Sequence, residues 1–402
     1  MSGIVIIGAG HAAGQAAASL RQAKYAEAIT IVGDEAYPPY QRPPLSKQYL
    51  SGEQGVDRVY LRAEKFYADN DIQLILNTRA EQLDPAGHQV RLSDGQTLDY
   101  EKLLLCTGSR PRKLNIAGSD LAGIHYLRTI ADVDGMREAM QPGKNLVIVG
   151  GGYVGLEVAA VANSLGLNVT VLEMESRILQ RVTTPGMSAF YDQLHSARGV
   201  NIQTSTGVTG FAGETQVEQV ICGAQTFAAD IVIVGIGIIP NTELAEAAGL
   251  QCDNGITVDE HCQTSDPDIY AAGDCTNHPN PLLNRRLRLE SVPNAMDQAR
   301  TCAANMLGGD KVYAAIPWFW SDQYELKLQM VGFSGDGEEE VVRGIKDANH
   351  FPVFYVNGGK VVAADAINSP KEFMLCKQLV GKSVDAAALA DPETDLKAML
   401  TA

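Results

Sequence analysis

One pattern occurs twice in this chain and leaves few folds open to it. Residues 3–21, "GIVIIGAGHAAGQAAASLR", run an apolar strand into a glycine-rich turn and then an alanine-rich helix. Residues 145–166, "NLVIVGGGYVGLEVAAVANSLG", repeat the three elements. Each copy leads to a second strand that ends in acid, "AITIVGDE" at 28–35 and "NVTVLEME" at 168–175. Strand, turn, helix and strand make a βαβ unit of a dinucleotide fold. The glycines let a pyrophosphate come close to the backbone, and the helix N-terminus faces its charge. A single turn of this kind says little; two, each after a strand and each with an acid at the right distance, say much.

The first turn reads Gly8, Gly10 and Ala13, and the second Gly150, Gly152 and Gly155. Asp34, with Glu35 beside it, and Glu173 are placed to accept hydrogen bonds from adenosine ribose hydroxyls. A carboxylate at 173 would repel a 2′-phosphate, which favours NAD over NADP at the second turn. Arg177 and Arg181 lie near it in sequence and blur that preference, although such arginines are more often helix-surface charge.

Composition narrows the class further. A chain of 402 residues has room for two or three domains, and 45% hydrophobic content with 39 glycines suits a packed α/β protein. A net charge of −16 argues against nucleic acid, whose binding needs Lys and Arg to neutralise phosphates. No apolar run is long enough to span a bilayer. The apolar opening lacks a basic flank and reads as a strand, not a signal peptide. Cys106, Cys222, Cys252, Cys262, Cys275, Cys302 and Cys376 are scattered, odd in number and without a CxxC pair. They read as free thiols in a reducing cytoplasm, with neither a disulfide framework nor a metal site.

Two more segments bear on the first turn. "KLLLCTGSRPR" (102–112) is a buried strand ending at Thr107-Gly108, and "TSDPDIYAAGDCTN" (264–277) is another ending at Gly273-Asp274. A carboxylate at such a strand end can bond the ribityl chain of a flavin. Together these motifs resemble the flavoproteins with two dinucleotide-binding domains, which hold FAD at the first turn and NAD(P)H at the second. Beyond Pro317 the character changes. "PWFWSDQYELKLQMVG" (317–332), "EEVVRGI" (339–345) and "FPVFYVNGGKVVAADAIN" (351–368) are short alternating strands, and "KEFMLCKQLVG" (371–381) is a helix. The expected architecture is α/β, with two Rossmann-like domains, one for FAD and one for NAD, and a C-terminal α+β domain. The limits are 1–110 for the first FAD part, 111–234 for NAD, 235–316 for the second FAD part, and 317–402 for the C-terminal domain.

"YQRPPLSKQYL" (40–50) carries a lysine where disulfide reductases of this kind carry a redox cysteine. With "GGGYVGLE", "TSDPDIYAAGDC", "ESVPNAMDQAR" (290–300) and "PWFWSDQYE", it makes the chain resemble the oxygenase-coupled, NADH-dependent ferredoxin reductases over essentially its whole length. The resemblance implies that NADH reduces FAD by hydride transfer. The flavin then reduces a [2Fe–2S] ferredoxin that supplies a cytochrome P450 or a Rieske-type oxygenase. It implies a pair between Lys47 and Glu157 near the flavin, and Trp320 as a stacking residue beside the nicotinamide. It adds Arg42, Thr107, Gly108, Asp274 and Val292 to the FAD contacts. Proline is favoured at the first helical position, so a helix is expected to start at Pro293 with its positive end toward the flavin. His11 departs from the family's usual apolar residue.

An acidic ferredoxin meeting an acidic chain needs a local basic patch. Arg62, Arg285, Arg288, Arg300 and Lys377 are the candidates, Arg300 and Lys377 first. Alternative readings are a rubredoxin reductase or NADH oxidase of the same fold, and a non-enzymatic flavin-binding signalling protein.

Overall fold

The computed structural model describes residues 3–345 and 349–400. Residues 1–2 and 401–402, at the outer limits of the first and last expected domains, lie outside the described residues. The chain divides into two compact units, each built from three separate stretches. Met1–Gln41, Val56–Arg110 and Ile238–Pro317 form the first. Arg42–Gly55, Pro111–Gly237 and Trp318–Ala402 form the second.

In the first unit, strands Ile72–Ile75, Ile29–Val32, Gly3–Ile7 and Thr97–Leu105 lie side by side in that order and run parallel, with Ile269–Ala271 added to the last of them. Burial on both faces explains the unbroken apolar run of Gly3–Ile7. Register pairs Ile7 with Val32 on one side and Leu105 on the other, so three strands end together at the carboxyl edge of the sheet. Gly8 leaves the sheet at that edge with φ of +106°, and a Cβ there would lie 2.2 Å from the Cys106 carbonyl oxygen. Only glycine fits. Helix His11–Gln22 follows and buries Ala12, Ala13, Ala16 and Ala17 in one core with Ala295, Ala299 and Ala303 of helix Val292–Met306. Small side chains on both helices let the two come close.

The expectation that the second of these helices starts at Pro293 is off by one residue. The hydroxyl of Ser291 accepts the Asn294 N–H at 3.3 Å, which makes Ser291 the N-cap and Val292 the first helical residue. Proline is as harmless in second place, where its missing N–H would also lack a helical partner.

The second unit repeats the βαβ logic. Strands Asn201–Gln203, Asn168–Leu172, Asn145–Val149, Ile231–Val234 and Ile124–Tyr126 form a parallel sheet in that order. Gly150 leaves it with φ of +109°, and a Cβ there would clash at 2.4 Å with the Gly235 carbonyl oxygen, which matches the geometry of Gly8. Helix Tyr153–Ser164 follows. The C-terminal part of this unit is an antiparallel sheet in the order Trp318–Gln323, Leu326–Gly332, Lys360–Ile367, Phe351–Asn357, Glu339–Val342. Gly358 and Gly359, both at positive φ, close its hairpin. Helix Pro370–Leu379 buries Phe373, Cys376 and Leu379. Among the described residues no helix is long and apolar enough to cross a membrane.

Candidate functional site

Each glycine turn opens onto the N-terminus of a helix. Gly10 caps His11–Gln22 and Gly152 caps Tyr153–Ser164, and a Cβ at either position would meet nothing within 4 Å. The ground before both helices is therefore open, while the first-turn N–H groups lack helical partners and carry the positive end of the helix dipole. That is the geometry a pyrophosphate needs.

In the first unit, Asp34 is exposed and sits 3.6 Å from Arg79, and Glu35 accepts the hydroxyl of Tyr40 at 2.6 Å. Thr107 and Asn241 are cross-tied: the Thr107 hydroxyl donates to the Asn241 carbonyl at 2.6 Å, and the Asn241 amide returns a bond to the Thr107 carbonyl at 2.8 Å. Gly108 turns the chain with φ of +62°. Asp274 accepts the hydroxyl of Ser109 at 2.9 Å. The fully buried Gln298, which the motifs did not single out, accepts from Gly273 N–H at 2.8 Å and the Thr276 hydroxyl at 2.9 Å. It fastens the helix that begins at Val292 to the Gly273-Asp274 turn.

In the second unit, Glu173 ends its strand with both carboxylate oxygens engaged. One accepts Gly151 N–H at 2.7 Å and the other Glu175 N–H at 2.9 Å. The acid is thus fixed against the glycine turn. Arg177 donates to the Gln180 carbonyl at 3.0 Å, within its own loop. Val154 and Met174 are exposed beside the turn.

Lys47 is held by the short turn Pro43–Ser46 that precedes it. Its N–H donates to the Pro44 carbonyl, and its ammonium reaches the Pro43 carbonyl at 3.3 Å and Glu157 at 2.7 Å. Both partners of the ion pair are more than nine-tenths buried. Glu157 also accepts the hydroxyls of Ser46 at 2.5 Å and Ser321 at 2.7 Å. The last contact follows from matched spacing. Tyr153 and Glu157 lie four residues apart on a helix, while Phe319 and Ser321 lie two apart on one face of strand Trp318–Gln323. Both steps cover about 6–7 Å. Tyr153 meets Phe319 at 5.0 Å between ring centroids, and Glu157 meets Ser321 one step on.

Trp320 points to the other face of that strand, 5.9 Å from Trp318, and the ammonium of Lys377 lies 4.6 Å over the Trp318 ring. Arg42 donates to the Arg128 carbonyl at 2.6 Å. A capping box at Thr129 and Asp132 holds that carbonyl's segment in place. Arg128 had no motif to announce it. Of the basic docking candidates, Arg300 pairs with Asp297 at 2.5 Å and Arg288 with Glu290 at 2.7 Å. Arg62 lies over the Phe66 ring, and Arg285 is exposed on strand Arg285–Leu287. All seven cysteines are free thiols, six of them buried, and burial pushes Cys106, Cys275 and Cys302 up and Cys252 up to about 11. Among the described residues no group of His, Cys, Asp and Glu could hold a metal ion.

Two glycine turns of one design, each with open ground before its helix, offer two places that fit a pyrophosphate. The chain belongs to the pyridine nucleotide-disulphide oxidoreductases, whose family model matches residues 2–299, and a reductase C-terminal model matches residues 318–400. It is 45% identical to putidaredoxin reductase of Pseudomonas putida over 99% of this chain and 97% of the relative. It is 43% identical to the ferredoxin–NAD(+) reductase component of the anthranilate 1,2-dioxygenase system of Burkholderia cepacia, over 98% of both. The crystal structure of the covalent putidaredoxin reductase–putidaredoxin complex matches with a TM-score of 0.96 at 44% identity, covering 100% of this chain and 98% of that one.

Proposed function

We propose that the chain is an FAD-dependent NADH–ferredoxin oxidoreductase of the reducing cytoplasm, passing electrons to a [2Fe–2S] ferredoxin that serves a cytochrome P450 or Rieske-type oxygenase. The observation that carries this reading is the buried pair of Lys47 and Glu157, standing where a disulfide reductase would need a thiol. Residues 1–110 and 235–316 are assigned to FAD, 111–234 to NADH and 317–402 to the C-terminal domain. The open ground before the Gly10 helix and its missing Cβ fit a pyrophosphate, as they do before the Gly152 helix. Bound FAD would take two electrons as hydride from NADH and release them singly to an iron–sulfur partner.

The protein's part is position and charge. Gly8, Gly10 and Ala13 would receive the FAD pyrophosphate, with Asp34 and Glu35 on its ribose. Arg42, Thr107, Gly108, Asp274 and Val292 would hold the rest of the molecule. Gly150, Gly152, Gly155 and Glu173 are assigned to NADH, with Trp320 stacking near the nicotinamide. Lys47 keeps a fixed cation for the redox step, and Glu157 keeps that cation in place. Arg62, Arg285, Arg288, Arg300 and Lys377 are the candidates for meeting the ferredoxin.

Thiol alkylation and the pair's own variants test this together. NADH–ferricyanide activity is expected to survive alkylation with FAD still bound, while K47M and E157Q slow flavin reduction by NADH in stopped flow. Loss of turnover on alkylation, or unchanged rates in both variants, would sink the proposal.

A further inference from the structure

The ion pair is the end of a longer buried chain. Ser321 donates to Glu157 at 2.7 Å, and Gln323 Nε2 donates to the Ser321 hydroxyl at 3.2 Å. The Gln323 carbonyl oxygen lies 2.8 Å from His195 Nε2. His195 and Ser321 are fully buried, and Gln323 is 1% exposed. Beyond His195, Tyr324 lies 3.4 Å from Nδ1 and 3.4 Å from the Asn163 amide oxygen, with Arg198 over its ring at 4.5 Å.

The direction of every bond is fixed from one end. A carboxylate only accepts, so the single hydrogen of Ser321 goes to Glu157. The serine oxygen must then accept from an amide N–H, which turns the Gln323 carbonyl oxygen toward His195. That oxygen also only accepts, so Nε2 of His195 carries the proton. Burial holds this imidazole below the ordinary histidine range, so it is neutral at physiological pH with Nδ1 bare. Every dipole in the row therefore points its positive end at Glu157.

We propose that His195, through Gln323 and Ser321, is a positioning residue that holds Glu157 aligned on Lys47 and so sets how that cation is presented to the flavin. It reaches the pair from a different helix, Pro185–Ser196, through its bond to Gln323. A primary amide does not pass protons along as a hydroxyl or imidazole does, so Gln323 makes the row an orienting device and not a proton conduit. The inference rests on the assignment of Lys47 and Glu157 to the redox step.

Two readouts test it in the FAD-loaded protein. The first is nitrogen-15 NMR of labelled histidine, with His195 identified by its loss in H195Q. A neutral, Nε2-protonated ring is expected; an Nδ1-protonated ring reverses the row and overturns the inference. The second compares H195Q, whose amide can still donate to Gln323, with H195L, which cannot. H195L and S321A are expected to lower the limiting rate of flavin reduction about three- to tenfold and move the flavin midpoint potential, with the Kd for NADH unchanged. H195Q is expected to stay within about twofold of the parent in both. H195L equal to the parent, or H195Q as impaired as H195L, overturns the inference. K47M separates the two layers. If K47M also reduces its flavin at the parent rate, the assignment of the pair itself falls. If K47M is slow while H195L is not, only the positioning role falls.

Discussion

Replacing Lys47 by methionine keeps the aliphatic stem and removes the charge. Glu157 would then be a buried carboxylate, 5% exposed, with two hydroxyl donors and no cation. Removing one partner of a buried ion pair costs about 3–5 kcal/mol, because the other charge is left uncompensated. Ser46 and Ser321 stay in place and continue to stabilise the carboxylate, each by about 1.5–3 kcal/mol as bonds to a charged group. The cost should therefore fall near the lower end, about 3 kcal/mol. For a chain of this size that is a loss of about 4 °C in thermal midpoint. The double variant K47M/E157L removes the stranded charge and is expected to recover most of the loss. Thermal unfolding of the FAD-loaded proteins at pH 7, followed by circular dichroism, measures both. A K47M midpoint equal to the parent's, or a double variant less stable than K47M, would refute the reasoning.

Three further outcomes are expected. E173A should narrow a preference for NADH over NADPH; a 10²-fold preference would correspond to about 2.7 kcal/mol, and equal kcat/KM values for the two coenzymes in the parent would remove the role of Glu173. Asp365 is buried, accepts the hydroxyls of Tyr355 at 2.8 Å and Thr183 at 3.3 Å, and is raised by burial to about 7. The folded state therefore binds this proton more tightly than the unfolded one, and the associated stability is present below about pH 4 and lost as pH rises through about 7. D365N should gain on the parent across that window by up to about 4 kcal/mol in urea unfolding, and a parallel pair of pH profiles would contradict this. Charge reversal at Arg300 or Lys377 should raise the KM for ferredoxin and weaken its salt dependence while NADH–ferricyanide activity holds. If both reversals leave ferredoxin reduction unaltered at low ionic strength, the docking face lies elsewhere.

The glycine turns were legible because their chemistry is local. A strand, a turn that only glycine can make and an acid at the next strand's end all fall within about thirty residues. The partner of Lys47 was not legible that way. Glu157 lies 110 positions on in a helix that reads as an ordinary apolar one, and only the family resemblance joined the two. The row behind them left even less trace. Ser321 and Gln323 look like the polar half of an alternating strand, yet they face the buried side, because strand Trp318–Gln323 packs that face on helix Tyr153–Ser164. His195 near the end of an amphipathic helix resembles any surface histidine, and it is fully buried. Asp365 did carry a signal: it is a lone acid in the apolar run "VVAADAI", and tertiary packing makes it a core residue. The one-residue error at Pro293 has a local cause, since Ser291 was a stronger cap than the proline was a start signal.

The proposed route takes electrons from NADH through FAD to a [2Fe–2S] ferredoxin. Cytochrome c reduction by NADH, run anaerobically with the FAD-loaded protein, with and without an added [2Fe–2S] ferredoxin, tests it most directly. Slow reduction by the reductase alone is expected, with a rate that rises and saturates as ferredoxin is added. Fast reduction that ignores the ferredoxin, or a response to rubredoxin and none to ferredoxin, would contradict it.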